Sequence, residues 1–271
     1  MTPIDRHEPD VTGARFRRAL LEQRAMRLKG GLYHLNQIRM AYNSNRIEGS
    51  QLSEDQTRSI FETSTVTGDA NVNDVIETAN HFRAFDSILA NVGQLITAEH
   101  IKDIHRLLKS GTSDANKDWF AVGDWKKLPN SVGRIETTPP GEVGGAISEL
   151  LAITPTSMTF EDICDFHAAF ETIHPFQDGN GRVGRLLMFQ QCLDNDIVPF
   201  IVRDDQKAFY YRGLDQYPEE RGFLYETCAH FQDQYLDDFA HYLPAAPLGR
   251  SLHRNDSITE QPTPTIDGPA L

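Results

Sequence analysis

Cysteine and long apolar runs are both scarce in this 271-residue sequence. No stretch reaches the ~18 apolar residues of a membrane span, and residues 1–10 lack the basic-then-apolar order of a secretory signal. No CxxC pair or Cys/His cluster has zinc spacing, so the odd set of cysteines predicts reduced packing residues. They are Cys164, Cys192 and Cys228. We therefore expect a soluble, cytoplasmic protein without a membrane partner.

Positive charge is also in short supply. The 26 Lys and Arg residues face 39 Asp and Glu residues, which gives a formal net charge of -13. Such a charge repels nucleic acid, and no local basic stripe offsets it, so we expect no nucleic-acid partner. A site for polyphosphate would have to create its own positive field from arginines, glycines and helix N-termini.

The spacing of the apolar residues is mostly helical. An amphipathic helix running into residues 44–49 is predicted by the stripe Leu32, Leu35, Ile38 and Tyr42. Ser53 followed by Gln56 has the form of a capping box and predicts the start of a second helix. Residues 183–193 are apolar nearly all round, which predicts a helix buried at the centre of a bundle.

Residues 121–143 depart from this spacing. A strand-like run over 123–128, a turn at 129–131 and a second run over 132–138 predict a β-hairpin. The predicted fold class is therefore all-α with a buried central helix and one β-hairpin. From residue 244 onward, five of the fourteen prolines fall in 28 residues, which predicts a disordered tail.

Residues 174–185, HPFQDGNGRVGR, join the end of one predicted helix to the start of the buried one. The triplet 179–181 lets successive backbone N–H groups point into one concavity, and the helix N-terminus adds unpaired donors and its dipole. Arg182 and Arg185 lie three apart on the first turn, so both can reach an anion there. The segment therefore predicts a polyphosphate site without a P-loop lysine.

Two other residues of this segment suit catalysis. Asp178 beside the glycines would repel phosphate unless a hard cation such as Mg²⁺ lay between them. His174 precedes a proline, which disfavours helical backbone, and an imidazole can take a proton from an attacking hydroxyl near neutral pH. Simpler interpretations are a helix cap for either residue, a plain turn for the glycines and surface ion pairs for the arginines. The joint occurrence at fixed spacing favours the functional interpretation.

The segment matches the Fic family signature HPFxDGNGRxxR at every specified position, and the sequence resembles that family over roughly residues 40–240. The resemblance implies a mainly helical Fic fold that transfers AMP from ATP to a Ser, Thr or Tyr hydroxyl of a target protein and releases pyrophosphate. It makes His174 the catalytic base and Asp178 the ligand of Mg²⁺. The residues implied to bind the nucleotide are Gly179, Asn180, Gly181, Arg182, Arg185 and Tyr211.

The predicted hairpin, at 124–138, resembles the flap of this family, whose edge can register a target segment by strand addition. The alternative is a hairpin that only covers the core. The resemblance also implies self-modification and a homo-oligomer as further partner relations. We expect three parts: an N-terminal helical segment over 1–50, a Fic catalytic core over 51–243 and the proline-rich tail over 244–271.

Residues 44–49 fit the inhibitory pattern [S/T]xxxE[G/N] of Fic regulation. Ser44 and Glu48 are four apart and share a helix face, and Gly49 is placed to end the helix. If Glu48 pairs with Arg185, its carboxylate takes the place of the ATP γ-phosphate. The alternative for Glu48 is a solvated helix charge or a structural ion pair.

Three functions are compatible with this pattern. The first is an autoinhibited protein adenylyltransferase. The second is a hydrolase that uses Glu48 to remove AMP from a modified target. The third is a non-catalytic, nucleotide-binding helical interaction module. The presence of both His174 and Asp178 argues against the third, because degeneration should remove such residues first.

Overall fold

Helices make up most of the chain over the residues that the computed structural model describes, 11–132 and 135–243. In chain order they are α1 (Val11–Met26), α2 (Leu32–Ile47), α3 (Glu54–Thr63), α4 (Val72–Ala90), α5 (Ala98–Lys109), α6 (Val143–Ile153), α7 (Phe160–Ile173), α8 (Asn180–Asp194), α9 (Lys207–Asp215) and α10 (Gly222–Phe239). Single 3₁₀ turns lie at Ser113–Asn116, Asp204–Gln206 and Ala240–Tyr242. The predicted all-α fold class is confirmed.

Helix α8 is the buried central helix that the apolar run predicted. Every residue from 182 to 193 is buried, and α8 packs against α1, α2, α4, α5 and α7. The Phe189 ring lies edge-on to Phe85 at 5.2 Å and to Tyr235 at 6.2 Å. Each such aromatic or aliphatic side chain contributes about 1.5–3 kcal/mol on burial, so the position of α8 is strongly determined.

Local signals fix several helix ends. Ser53 and Gln56 form the predicted capping box at the start of α3, and Thr159 with Asp162 forms another at the start of α7. Helix α2 ends at Ile47, and Gly49 follows with φ of +100°, a conformation that glycine adopts without steric cost. The start of α7 is thus determined by a capping box, and the end of α2 by a glycine, and both features can be recognised in the sequence.

The hairpin is present, but its strands are much shorter than predicted. The two strands, β1 (Ser131–Val132) and β2 (Ile135–Glu136), pair antiparallel. The prediction of a strand over 123–128 was wrong, because this segment bonds to other parts of the chain. The Gly123 N–H donates to His105 Nδ1 at 2.9 Å, and the Lys126 N–H donates to the Pro175 carbonyl at 2.9 Å. The predicted turn at 129–131 also overlaps the first strand.

The N-terminal helices share one hydrophobic core with α8, through residues such as Phe16, Leu32 and Met40. All three cysteines are buried and free, as predicted. Among the described helices, none is both long and apolar enough to cross a membrane. The predicted disordered tail, 244–271, lies outside the described residues.

Candidate functional site

The loop between α7 and α8 carries the signature residues in a tightly bonded conformation. His174 ends α7 with φ of +51°, and its N–H donates to the Phe170 carbonyl at 2.9 Å. Asn180 Oδ1 accepts from the Phe176 N–H at 2.7 Å, and Asn180 Nδ2 donates to the Phe176 carbonyl at 2.8 Å. The Phe176 ring stacks on His105 with centroids 3.9 Å apart. The side chain of Asn180 therefore holds the loop, and only its backbone remains for a ligand.

Arg185 projects from α8 toward the end of α2, where it meets the predicted inhibitory pair. Its Nη2 donates to Glu48 Oε1 at 2.6 Å and to the Ser44 carbonyl at 3.0 Å, and its Nε donates to Ser44 Oγ at 3.0 Å. The Arg185 side chain is 2% exposed. Burial alone would lower the pKa of Arg185, but the Glu48 carboxylate outweighs it and raises that pKa. The structure thus brings together the three residues that the pattern related.

The Glu48 carboxylate also lies over the glycine triplet. A Cβ atom at Gly181 would stand 2.3 Å from Glu48 Oε1, so only glycine leaves room for the carboxylate there. Gly179 precedes α8 with φ of +87°. Backbone N–H groups at a helix N-terminus attract anions, and here the carboxylates of Glu48 and Asp178 both lie beside them.

His174 is held as a neutral imidazole. Its Nδ1 lies 3.3 Å from the Glu171 carbonyl, which can only accept, so Nδ1 carries the proton and Nε2 keeps its lone pair. Burial lowers the pKa of His174 to about 4. The ring is therefore uncharged at neutral pH. In the described part of the chain, no hydrogen bond engages Nε2.

Asp178 is held by two cations. Its Oδ2 accepts from Lys109 Nζ at 2.6 Å and from Arg182 Nη2 at 3.1 Å. Burial would raise the pKa of Asp178, but Arg182 and Lys109 lower it well below its usual value. Glu77 bridges the same two cations from α4. Asp178 is thus an ionised carboxylate in a network of alternating charges.

The fit of Mg²⁺ to this site depends on Asp178. Within 11–132 and 135–243, no group of three His, Cys, Asp or Glu side chains is arranged to hold a metal ion. The Asp178 side chain is 46% exposed beside the glycine triplet. Mg²⁺ is commonly bound by one or two carboxylates together with substrate phosphates and waters. The donor set therefore fits a cation that shares its coordination with a nucleotide.

Tyr211 lies at the edge of the same region. Its hydroxyl donates to the Ile47 carbonyl at 3.3 Å, next to Glu48, and the residue is 45% exposed. The adjacent Tyr210 is buried, and its hydroxyl lies 2.7 Å from His167 Nε2. Tyr211 thus lies beside the other predicted site residues, with part of its ring open to solvent.

Four residues of the site were not predicted to have a role there. Lys109 of α5 contacts Asp178, and Glu77 of α4 contacts both Lys109 and Arg182. Burial lowers the pKa of Lys126 to about 8 and raises that of Glu171 to about 8. Only the spacing of Glu171, one helical turn before His174, was a usable signal in the sequence. The other three come together through tertiary packing.

The chain is similar in sequence to proteins of one family. Residues 95–192 match the model of the Fic/DOC family. The curated relatives include Protein adenylyltransferase Fic from Aedes aegypti, 26% identical over 182 residues, which cover 64% of this chain and 36% of the relative. Protein adenylyltransferase fic-1 from Caenorhabditis elegans is 28% identical over 182 residues, which cover 64% of this chain and 35% of the relative. The chain thus spans about a third of the length of these relatives.

Solved structures support the fold. A Fic domain containing signaling protein from Bacteroides thetaiotaomicron superposes with a TM-score of 0.65 at 20% identity, covering 84% of this chain and 95% of that one. Fic-1 from C. elegans gives a TM-score of 0.65 at 19% identity, covering 84% and 72%. At such identities the likeness shows the fold alone.

Proposed function

Because this chain is a Fic-domain protein, we propose that it is a protein adenylyltransferase that Glu48 holds in an inhibited state. The substrate would be ATP, and the product an AMP ester of a Ser, Thr or Tyr hydroxyl. The relatives named protein adenylyltransferase support this reaction. The observation that carries the inhibition is the Glu48 carboxylate itself, 2.6 Å from Arg185 Nη2 and directly over Gly181.

The start of α8 would bind the triphosphate. Its backbone N–H groups, Arg182 and Arg185 supply positive charge inside a protein of net charge -13. Asp178 would hold Mg²⁺ against the phosphates, and the cation would supply charge neutralisation during transfer. Tyr211, next to the end of α2, would line the adenine side of the site.

His174 would act as the general base. As the target hydroxyl oxygen forms its bond to the α-phosphorus, its proton passes to His174 Nε2 and the bond to pyrophosphate breaks. The neutral ring with Nδ1 protonated is the form that this step requires. A general base of this kind contributes about 10²–10⁴-fold to the rate.

Glu48 would inhibit by substitution of one anion for another. Arg185 cannot bind the carboxylate and a γ-phosphate oxygen in the same place, and the carboxylate fills the space over Gly181. ATP that enters the inhibited site would then hold its α-phosphorus out of line with the hydroxyl. Removal of the carboxylate should release the enzyme.

The test compares wild type with Glu48→Gly, each incubated with Mg²⁺ and ATP that is labelled at the α- or the γ-phosphate. We expect label from the α-position alone to appear on protein, and much more of it in Glu48→Gly. His174→Ala in that background should remove it. Glu219→Gly, which changes an exposed glutamate, is the matched control. Equal labelling of wild type and Glu48→Gly would refute the inhibition, and label from the γ-position would refute the reaction.

Removal of AMP from a modified target is the second candidate. One observation favours it: Glu48 Oε2 makes no hydrogen bond to a described residue, so it can accept one from an attacking water. Wild type mixed with an AMP-modified target and Mg²⁺ should then release free AMP, and Glu48→Gly should not. A non-catalytic interaction module would give neither labelling nor release.

The hairpin would receive the target. Over the described residues β1 pairs with β2 and with nothing else, so each strand keeps a free edge for an added strand. The chain's own hydroxyls are candidate acceptors under the same proposal. A homo-oligomer and a cytoplasmic location belong to this proposal as well.

A further inference from the structure

Glu171 lies on the last turn of α7 and faces the ring of His174. Its backbone carbonyl lies 3.3 Å from His174 Nδ1, and its carboxyl Oε2 lies 3.9 Å from the same nitrogen. The Glu171 side chain is 15% exposed. Within 11–132 and 135–243, its carboxyl is within ion-pair distance of His174 and of no other basic side chain. The Nδ1 edge of the ring thus faces a carboxyl group as well as a carbonyl.

The backbone of α8 leaves room for this carboxyl. A Cβ at Gly184 would stand 2.7 Å from Glu171 Oε1 and 2.9 Å from His167 Cε1, so a side chain there would displace the carboxyl. Oε1 is buried and has no hydrogen-bond partner in the part of the chain that the structure describes. A buried polar atom without a partner is uncommon in folded proteins. The carboxyl therefore packs between α7 and α8 without a hydrogen bond to Oε1, and it stays available to the ring.

Both side chains of this pair are mainly uncharged at neutral pH. Burial raises the pKa of Glu171 to about 8, and Arg185 opposes this rise while Glu48 adds to it. Burial lowers the pKa of His174 to about 4. Glu171 therefore becomes a carboxylate as the pH rises through about 8. The other titratable or charged groups that face the pair are His167 on α7, Tyr210 and Tyr211 on α9, and Lys126 and Asp178 in the neighbouring loops.

A carboxylate at this place would strengthen the base. When His174 Nε2 accepts a proton, the ring becomes an imidazolium in a largely buried site, where an unpaired cation is costly. An ionised Glu171 could then accept a hydrogen bond from Nδ1–H. An opposite charge within about 4–6 Å raises the pKa of a base by about 1–3. The lone pair on Nε2 should therefore be more reactive when Glu171 is ionised.

We propose that Glu171 is a positioning residue whose carboxylate pairs with the ring of His174 when Nε2 takes up a proton. Its part in catalysis rests on the proposed function. In that reaction the hydroxyl oxygen bonds to the α-phosphorus, the bond to pyrophosphate breaks and the hydroxyl proton moves to Nε2. The Nδ1–H of the imidazolium is then donated to Glu171 Oε2, so the transferred charge is balanced on the side of the ring away from the phosphates.

The first test needs no nucleotide. Diethyl pyrocarbonate acylates the unprotonated Nε2 of histidine and releases ethyl carbonate, and mass spectrometry measures the rate at each histidine. The rate at His174, divided by that at the exposed His230, is compared between wild type and Glu171→Gln at each pH. From about pH 6.5 to about 8.5, we expect wild type to gain at least about threefold over Glu171→Gln. Glu161→Gln, which changes an exposed glutamate of the same helix, should match wild type.

A wild-type advantage over Glu171→Gln that stays constant across this pH range would overturn the proposal. Circular dichroism checks that Glu171→Gln is folded. If it is not, wild type alone still decides. Between about pH 7.5 and 8.5 an ordinary histidine is already unprotonated, so the rate at His174 relative to His230 should rise, and a flat ratio would overturn the proposal.

AMP transfer provides the second test. In the Glu48→Gly protein, the rate of transfer from α-labelled ATP should rise between about pH 6.5 and 8.5. Adding Glu171→Gln should flatten this rise and lower kcat at the upper end at least about tenfold, with little change in the KM for ATP. Lys126, whose pKa burial lowers to about 8, is present in both proteins, so the difference between the two profiles belongs to Glu171.

The two tests separate the proposal from the proposed function. If no AMP is transferred while acylation of His174 still depends on Glu171, the pairing stands and the proposed function fails. If AMP is transferred with the same pH profile whether residue 171 is Glu or Gln, the proposed function stands and the role of Glu171 is overturned.

Discussion

Arg185 binds acceptors at the C-terminal end of α2 through its Nε and Nη2 atoms. Ser44 offers a hydroxyl and a carbonyl, Glu48 offers a carboxylate, and the guanidinium is almost fully buried. A buried guanidinium is stable only when its donors are satisfied, so α2 and α8 depend on each other at this point. The ion pair therefore contributes to the stability of the fold, in addition to the inhibitory role proposed for Glu48.

Ser44→Ala tests the contribution of these contacts to stability. It leaves Arg185 Nε without its acceptor in a buried place, which should lower the free energy of unfolding by about 1–3 kcal/mol. Urea denaturation measures this directly. Ser148→Ala removes an exposed hydroxyl that bonds only within α6 and should have little effect. Equal stability of Ser44→Ala and wild type would show that Arg185 Nε is not held by the hydroxyl.

Some of the side-chain contacts of the site could be predicted from the sequence, and others could not. The spacing of Ser44 and Glu48 and the signature arginine led to the contact that the structure contains. Lys109 was not identifiable, because two of its acidic partners, Glu77 and Asp178, lie 32 and 69 residues away and meet it only after packing. A lysine at a helix end otherwise has the pattern of a solvated charge.

The elements around the site are α7, the loop after it and α8. The central helix was predictable because an apolar run without a polar face has no other stable place than the core. The hairpin was predicted with strands that are too long, because alternation in 123–128 looks like a strand. Tertiary bonds to His105 and Pro175 determine that segment instead.

Asn180→Ala tests how the loop is held. It removes the acceptor of the buried Phe176 N–H, at a cost of about 1–3 kcal/mol, and should loosen the start of α8. Hydrogen exchange should show lost protection at the Phe176 amide. The control is Asn91→Ala, which removes a side-chain amide that donates to the Ser87 carbonyl of α4, and it should leave the Phe176 N–H protected. A Phe176 amide that stays protected in Asn180→Ala would contradict the role given to Asn180.

Across the whole molecule, several histidines are buried in their neutral form. Burial lowers the pKa of His81, His105 and His167 to about 3 and that of His174 to about 4. The ordinary value in an unfolded chain is about 6.5, so below it the unfolded state binds more protons than the folded state. Stability should therefore fall as the pH drops below about 6.5.

Glu171 acts in the opposite direction. Burial raises its pKa to about 8, so its contribution is complete at acid pH and is lost as the pH rises toward 8. Four histidines outweigh one glutamate between about pH 4.5 and 6.5. Calorimetry should show a melting temperature that rises through this window and declines slightly from about 6.5 to 8. Glu171→Gln should abolish the decline, and a melting temperature that falls between about 4.5 and 6.5 would contradict these assignments.

Competition between Glu48 and the γ-phosphate for Arg185 is tested most directly by calorimetric titration with ATP and with ADP, which differ by that phosphate alone. Wild type should bind the two nucleotides about equally. In Glu48→Gly, ATP should gain about tenfold or more over ADP, because its γ-phosphate then pairs with Arg185. Adding Arg185→Ala should remove the gain. An ATP-to-ADP affinity ratio that is the same in wild type and Glu48→Gly would contradict the account.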